Sequence, residues 1–300
     1  MRARRYGWLT AVLLGAAGCA THRVQGPVVD TEIRDLAGSA QAAYQRGDIG
    51  RAAQLYARAL ERARRLDDTR ETAGNAYNLA LCRMAGGQTA EARALLAQAR
   101  GLLPAQGAET ARTWLADAEA AGREANPDAA RRFAQRALDV GADREGRAQA
   151  RLVLAALAGN ALDWADAARL LAAARKDLKG TSAPALQARA DGLAAVLAVA
   201  NSDRVGVAAA LERQAGWLRE AGDYQAMAEA LLGAGLDYRT AGQPQKAYPC
   251  LLRAAASLKA AGASARAETA AAAALAVARE LSNPDWAAAA EALASEIRRP

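Results

Sequence analysis

Few side chains in this sequence could do covalent or metal chemistry. Among its 300 residues there are three cysteines, Cys19, Cys82 and Cys250, and one histidine, His22. A zinc site needs about four Cys, His or carboxylate ligands brought together, usually by paired motifs, and none of these residues has such a partner nearby in sequence. The sequence also lacks the G-x-x-x-x-G-K-[ST] pattern of a phosphate-binding loop. We therefore expect no metal site, no cofactor and no catalytic residue.

Pairs of acidic residues are the remaining candidates for catalysis. Two carboxylates that face each other across a cleft can hydrolyse a glycosidic bond, and the sequence offers Asp67 with Asp68 and Glu119 with Glu124. Acids at a predicted helix end are more typical of solvated caps, so we interpret Asp67 and Asp68 as structural. The chain is therefore predicted not to be an enzyme.

Cys19 differs from the other cysteines because of what precedes it. Residues 1–5 include three arginines, residues 6–14 are mostly apolar, and residues 15–18 are small. This order is typical of a secretory signal peptide, and the apolar run is too short to cross a bilayer as a stable anchor. An ordinary cleaved signal and an uncut anchor both remain open on these features alone.

The sequence AAGC at residues 16–19 resembles the lipobox of bacterial lipoproteins, although Leu is usual at the position of Ala16. The resemblance implies that a signal peptide, residues 1–18, is removed and that Cys19 receives lipid, with palmitate among the acyl chains. Two acyl chains suffice for stable membrane anchoring. Ala20 stands where lipoproteins kept in the inner membrane usually have Asp. The resemblance therefore implies a lipid-anchored protein of the cell envelope, in the outer membrane and facing the periplasm if the cell is Gram-negative.

The charge of the chain gives little support for a nucleic-acid partner. The formal net charge is +7, and removal of residues 1–18 takes away three arginines, which leaves 36 basic against 32 acidic residues. Charges so nearly balanced usually lie scattered over solvated helix faces. One denser group, Arg58, Arg62, Arg64 and Arg65, could contact anionic phospholipid headgroups or lie on a solvated face. We expect no nucleic acid as a partner.

The rest of the sequence repeats a helical pattern about every 40 residues. Hydrophobic residues make up 52% of the chain but aromatic residues only 4%, which disfavours a β-sandwich or barrel. Residues 19–30 include Gly26 and Pro27 and have no helical period, so they are predicted to be a flexible tether. Beyond them, amphipathic segments alternate with turn signals. The predicted turn centres lie near residues 47, 87, 125, 162, 202, 242 and 282.

Three of these units share a specific residue pattern. Each has a glycine at the turn, and alanines follow five and twelve residues later with a larger residue between them. Small residues at helical spacing let paired helices approach closely. The residues are Gly47, Ala52 and Ala59; Gly87, Ala92 and Ala99; and Gly242, Ala247 and Ala254. They resemble the tetratricopeptide repeat.

The resemblance implies an all-α fold. Residues 31–300 would form a right-handed α-solenoid of about seven helical hairpins of the tetratricopeptide type, and a closed helical bundle is the alternative. The units are longer than the usual length of about 34 residues, so we expect longer helices or links. Cys82 and Cys250 would lie about four repeats apart, too far for a disulfide, and are predicted to be separate, partly buried thiols.

The resemblance also implies where a partner binds. In tetratricopeptide proteins the first helix of each hairpin lines a concave face, and side chains at fixed positions on it contact the ligand. We predict an apolar stripe there, flanked by arginines and able to take an amphipathic helix or an extended peptide; packing of the same side chains in the core is the alternative. The stripe consists of Tyr77, Leu81, Leu115, Leu152, Val196 and Leu236. The full predicted groove adds Tyr44, Met84, Arg112, Glu119, Arg189 and Arg239.

These features favour a non-catalytic protein-interaction scaffold. It would be held at a membrane by lipid on Cys19 and would bind an envelope protein or peptide segment in the groove, as part of a pilus, secretion or outer-membrane assembly. A regulator or adaptor of a cell-wall enzyme is the first alternative. A periplasmic solute-binding protein or an enzyme is the second, and it would require a closed pocket that holds Glu119, Arg123 and Asn160 together.

Overall fold

The structure, a computed structural model, describes residues 30–299, and all regular structure in that range is helical. The predicted signal peptide, Cys19 and most of the predicted tether lie outside the described residues. Fourteen helices follow one another in the described range. Their bounds are α1 (Thr31–Gln45), α2 (Ile49–Arg65), α3 (Thr69–Ala85), α4 (Thr89–Leu102), α5 (Ala108–Arg123), α6 (Pro127–Asp139), α7 (Arg144–Asn160), α8 (Trp164–Leu178), α9 (Pro184–Ala200), α10 (Arg204–Glu220), α11 (Tyr224–Thr240), α12 (Pro244–Ala260), α13 (Ser264–Glu280) and α14 (Pro284–Arg298).

The seven hairpin turns are built alike. In the first, Gly47 has a left-handed backbone (φ 81°), and the N–H groups of Gly47 and Asp48 donate back to the Tyr44 and Ala43 carbonyls, both at 3.0 Å. This is how a helix commonly ends. Asp48 then caps the next helix, because its side chain accepts a hydrogen bond from the Arg51 N–H. The left-handed residues of the seven turns are Gly47, Gly87, Ala125, Leu162, Ser202, Gly242 and Ser282. The predicted turn centres are confirmed.

The helices pair as seven hairpins, α1 with α2 through α13 with α14, and each hairpin packs against the next. Successive first helices also pack against one another along α1, α3, α5, α7 and α9, and again between α11 and α13. Among the second helices, substantial contact of this kind is confined to α12 with α14. The first helices of successive hairpins therefore lie closer to one another than the second helices do, and they form the inner layer of the stack. The predicted all-α solenoid of seven hairpins is confirmed.

Small residues close the helix crossings, as the repeat pattern predicts. The paired alanines of the three clear units, such as Ala52 with Ala59, have no exposed surface. Gly235 on α11 lies at a close crossing, because a β-carbon built there would lie 2.6 Å from Leu251 Cγ on α12. The additional length of each repeat lies in the helices, many of which have 17 residues, while the hairpin turns stay short. No helix within residues 30–299 is long and apolar enough to span a bilayer.

Buried aspartates bound by arginines join neighbouring helices in the middle of the chain. Asp191 on α9 accepts hydrogen bonds from Arg175 of α8 at 2.6 Å and from Arg213 and the Trp217 indole of α10, both at 3.1 Å. Asp117 on α5 lies 2.6 Å from the Arg100 guanidinium of α4. These carboxylates supply polar links between hairpins whose crossings are otherwise made by alanines.

Candidate functional site

The exposed side chains of the first helices make up the surface that we call the first-helix face. On it, Tyr44 of α1, Val196 of α9 and Leu236 of α11 are 40%, 49% and 42% exposed. Tyr77 and Leu81 of α3 are half-buried on the same face. Exposed apolar side chains along one inner surface are typical of a binding surface.

Three residues of the predicted groove are core residues instead. Met84, Leu115 and Leu152 are 4%, 2% and 1% exposed. For Leu115 and Leu152, the reason for the error is the register along the first helix. Leu81, Val196 and Leu236 lie six residues before the left-handed turn residue of their own hairpin, and this position faces outward.

Leu115 and Leu152 lie ten residues before theirs, at Ala125 and Leu162. At these two positions the side chain points toward the neighbouring hairpin: Leu115 packs with Ala150 of α7, and Leu152 packs with Ala190 of α9. Tyr77 has the same register before Gly87 but is only half-buried. The predicted continuous stripe is therefore wrong at these positions. Its apolar residues remain available near both ends of the face, at Leu81 and at Val196 and Leu236.

Charged residues occupy the centre of the first-helix face. The Glu119 carboxylate of α5 accepts hydrogen bonds from Gln149 of α7 at 2.9 Å and from Arg189 of α9 at 3.0 Å. One carboxylate thus connects three successive first helices. Two further predicted groove arginines form ion pairs between first helices: Arg112 with Asp143 at 3.1 Å, and Arg239 with Glu280.

Two clefts lie in the first-helix face near its amino-terminal end. One, of about 520 Å³, is lined by Gln41, Tyr44, Tyr56, Asn78 and Leu81. The next, of about 290 Å³, lies between α3 and α5 and is lined by Tyr77, Arg70, Glu109 and Arg112 among others. Burial raises the pKa of the Tyr77 phenol above its ordinary value of 10.0, and the Glu119 carboxylate adds to the shift. This phenol is therefore a neutral hydrogen-bonding group at physiological pH.

A third and larger cleft, of about 840 Å³, lies where α5 and α7 end and α6 begins. It brings Glu119, Arg123 and Asn160 together with Arg189 of α9. Arg123 and Asn160 are exposed, so the cleft opens to solvent at its rim. These residues do not form the closed pocket that a solute-binding protein or an enzyme would require.

The arginine cluster of α2 is less available than its sequence suggests. Arg62 binds Asp30 and Glu32, both at 2.8 Å, and Arg65 binds Glu61 at 2.6 Å. Arg64 donates to the Gln98 side chain at 2.7 Å. The cluster is thus largely committed to contacts within the protein, which favours the solvated-face interpretation over lipid binding.

The two cysteines of the described range are separate and unpaired with each other, as predicted, but they are fully rather than partly buried. Burial raises the pKa of the Cys82 thiol above 9.0 and that of the Cys250 thiol to about 11. Such thiols are poor nucleophiles at physiological pH. No group of three or more His, Cys, Asp or Glu side chains within residues 30–299 is arranged to hold a metal ion.

No protein-family model and no curated protein sequence matches the chain. Several solved structures share its fold. RapI in its apo form is 13% identical with a TM-score of 0.58, over 89% of this chain and 98% of that one. A Rap protein in complex with competence and sporulation factor is 15% identical with a TM-score of 0.59, over 89% and 74%. PilF of Pseudomonas aeruginosa is 15% identical with a TM-score of 0.52, over 77% and 93%. Identities this low show the tetratricopeptide-type solenoid fold and nothing further.

Proposed function

We propose that this protein is a non-catalytic scaffold that binds a segment of a cell-envelope protein on its first-helix face. The observation that carries the proposal is the exposure of Tyr44, Val196 and Leu236 on that inner face. Leaving such side chains in water costs free energy that burial against a partner would recover, at about 25 cal/mol per Å² of apolar surface. A solenoid supplies a long surface on which a segment can contact several hairpins.

Other features of the face suit a protein ligand. Charged and apolar residues alternate along it, with the Glu119 group at its centre and aliphatic residues toward the carboxyl-terminal end. Interfaces commonly combine apolar anchors with such polar groups. The Rap protein that shares this fold was solved with a bound factor, so a solenoid of this kind can hold a partner. The large cleft is open and contains no Ser, Cys, His or Lys among its lining residues, and we propose no reaction for it.

Membrane anchoring is the second part of the proposal. It is supported by the basic start, the apolar run and the small residues before Cys19. A lipid on Cys19 would hold the solenoid at the membrane, on the periplasmic side of the outer membrane in a Gram-negative cell. The assembly would be of the pilus, secretion or outer-membrane type. A regulator or adaptor of a cell-wall enzyme would use the same face, and the identity of the captured partner separates these possibilities.

The binding face is tested by capture from detergent-solubilised membranes after crosslinking, with mass spectrometry of the products. The variant combines Tyr44→Ser, Val196→Ser and Leu236→Ser, all at exposed positions where the fold tolerates a polar residue. The matched control combines Leu66→Ser, Leu102→Ser and Val205→Ser, which are 51%, 38% and 38% exposed and lie at the ends of second helices. We expect the face variant to lose an envelope protein that the wild type and the control both capture. Equal capture by all three proteins would contradict the proposal.

The anchor is tested separately by metabolic labelling with an alkyne analogue of palmitate. We expect label in the wild type and none in Cys19→Ala. A wild-type protein that carries no label would refute lipid anchoring without bearing on the binding face.

A further inference from the structure

The large cleft lies where two positions that carry larger side chains in most other hairpins carry small ones. Three residues before the left-handed turn residue, hairpin three has Gly122, and hairpin four also has a glycine, Gly159. The equivalent residues of hairpins one, two, five, six and seven are Tyr44, Met84, Val199, Arg239 and Arg279. Six residues before the turn, where hairpins two, five and six have Leu81, Val196 and Leu236, hairpin four has Ala156 and hairpin seven has Ala276. Gly122 and Ala156 both line the cleft.

Packing within the protein does not explain Gly122. A β-carbon built on Gly122 meets no atom within 4 Å, and the residue has an ordinary helical backbone rather than a positive φ. Glycine in a helix is less favourable than residues with a side chain. At Gly235, in contrast, a β-carbon would clash with Leu251. The open space over Gly122 is therefore room that the fold itself leaves unused.

The walls of the cleft define what would fill that room. Its floor is apolar, formed by Ala118, Ala130, Val153 and Leu157. Ala118 and Ala130 are each 1% exposed and Val153 is 9% exposed. At about 840 Å³ the cleft is within the usual size range of ligand sites. An aliphatic side chain fits this floor and would bury its surface there.

The rim of the cleft carries a net positive charge, because two arginines and one glutamate line it. Arg123 uses one guanidinium N–H to donate to the Met84 carbonyl at 2.9 Å, and Arg189 uses one to bind Glu119. Each guanidinium has five N–H donors, so both retain donors for a ligand. The one acidic residue of the lining, Glu119, is already bound by Gln149 and Arg189. Carboxylates are the preferred partners of guanidinium groups in planar geometry.

We propose that this cleft is the specificity site of the scaffold and that it takes an extended peptide segment with an aliphatic side chain next to an acidic one. The aliphatic side chain occupies the space over Gly122, and the acidic side chain binds Arg123 at the rim. The exposed amide of Asn160 can bond the peptide backbone. This inference rests on the proposed function, since it names the chemistry of the partner segment that the first-helix face receives.

A phage-displayed random-peptide library, panned on the full-length protein in detergent, provides the probe. Enriched sequences are synthesised, and their affinities are measured by fluorescence polarisation. We expect enriched peptides to place Leu, Ile, Val or Met next to Asp or Glu. Gly122→Met copies the residue of hairpin two at the same register, and we expect it to weaken binding about tenfold or more while the unfolding midpoint stays equal or rises. That combination excludes misfolding as the cause.

The control is Gly101→Met. Gly101 is the penultimate residue of α4, as Gly122 is of α5, and a β-carbon there also meets nothing within 4 Å. We expect Gly101→Met to bind like the wild type. Arg123→Gln is expected to weaken acidic peptides several-fold and to leave the corresponding Asn or Gln peptides nearly unchanged.

Three results would overturn the inference: unchanged binding by Gly122→Met, enriched peptides without an aliphatic residue, or no enrichment at all. If the peptides instead bind more weakly only to the variant with Tyr44, Val196 and Leu236 changed to Ser, they bind the first-helix face at a place other than the large cleft. The inference would then fail while the proposed function stands.

Discussion

The crossing of α11 and α12 at Gly235 allows a sharp test of the packing that builds the solenoid. We consider Gly235→Ala, a change that adds one methyl group. Its β-carbon would lie 2.6 Å from Leu251 Cγ, 2.7 Å from Leu251 Cδ2 and 3.2 Å from the Ala247 carbonyl oxygen. Carbon atoms prefer separations of about 3.5–4.0 Å, and Leu251 has no exposed surface into which it could retreat. Either the Leu251 side chain or one of the two helices must therefore shift.

Two opposing effects set the size of the change. Alanine is better than glycine in a helix by about 1 kcal/mol, whereas an extra carbon forced into a packed core costs roughly 1–3 kcal/mol. Gly216→Ala isolates the first effect, because Gly216 is also in the interior of a helix and a β-carbon there meets nothing within 4 Å. The helix-propensity gain cancels between the variants. We expect Gly216→Ala to stabilise the protein and Gly235→Ala to be less stable than it by about 1–3 kcal/mol.

The assay is urea denaturation of both variants and the wild type, followed by far-UV circular dichroism under one set of conditions. A repeat protein can unfold in more than one step, so the midpoints of the full curves are compared, and slopes are checked for agreement. If Gly235→Ala proved as stable as Gly216→Ala, the helices would not cross closely at this glycine and the packing argument would be refuted.

Three further predictions concern buried polar groups and thiols. Asp191→Ala is expected to destabilise the protein by roughly 1–3 kcal/mol in urea denaturation, because it leaves Arg175, Arg213 and the Trp217 indole without their shared acceptor; an unchanged midpoint would show that the cluster contributes nothing to stability. Burial raises the pKa of Asp117 above its ordinary value of 3.8 despite the neighbouring Arg100 and Arg93. The folded state therefore holds this proton more tightly than the unfolded state does. The stability of the wild type relative to Asp117→Asn should fall as the pH rises from about 4 through the pKa of Asp117 in the folded protein. If urea titrations show that the stability difference between the two proteins does not vary with pH, this prediction is contradicted. Cys82 and Cys250 should resist iodoacetamide at pH 8 in the native protein and react after unfolding, because burial raises the pKa of both thiols, and peptide mass spectrometry showing rapid native labelling would contradict their placement.

Local signals made the fold predictable from the sequence. Each turn is set by a few neighbouring residues: a left-handed position such as Gly47 and a capping side chain such as Asp48 act within one turn of helix. The alanine pairs likewise indicate that the two helices of a hairpin cross closely, and Ala52 and Ala59 are fully buried as expected. These features repeat along the chain, so their spacing alone revealed seven hairpins.

The binding face was only partly predictable, because it depends on which side of each first helix meets the next hairpin. Leu81 and Leu115 both belong to an apolar period on a first helix, yet the first is partly exposed and the second is core. A shift of four residues in register separates them, and periodicity does not reveal it. The left-handed turn residues supply the missing reference, since counting back from Gly87 and Ala125 distinguishes the two leucines.

The sequence placed Glu119, Arg123 and Asn160 in one pocket, but it did not indicate that the cleft is open or how large it is. Gly122 and Ala156 look like ordinary small residues of an alanine-rich helical sequence, and only comparison with the same register in most other hairpins shows that large side chains are absent there. The bonds of Glu119 to Gln149 and Arg189 join three helices, and one of them spans 70 residues of sequence. No local pattern predicts contacts of that kind.

The central claim, that a partner binds the first-helix face, is tested most directly by photo-crosslinking in living cells. A photoreactive phenylalanine analogue is placed singly at Tyr44, Val196 or Leu236, and at Leu66 or Val205 as controls of similar exposure. We expect the three first-helix positions to crosslink to one and the same envelope protein and the control positions not to do so. Crosslinks from Leu66 and Val205 alone, with none from the first-helix positions, would contradict the claim.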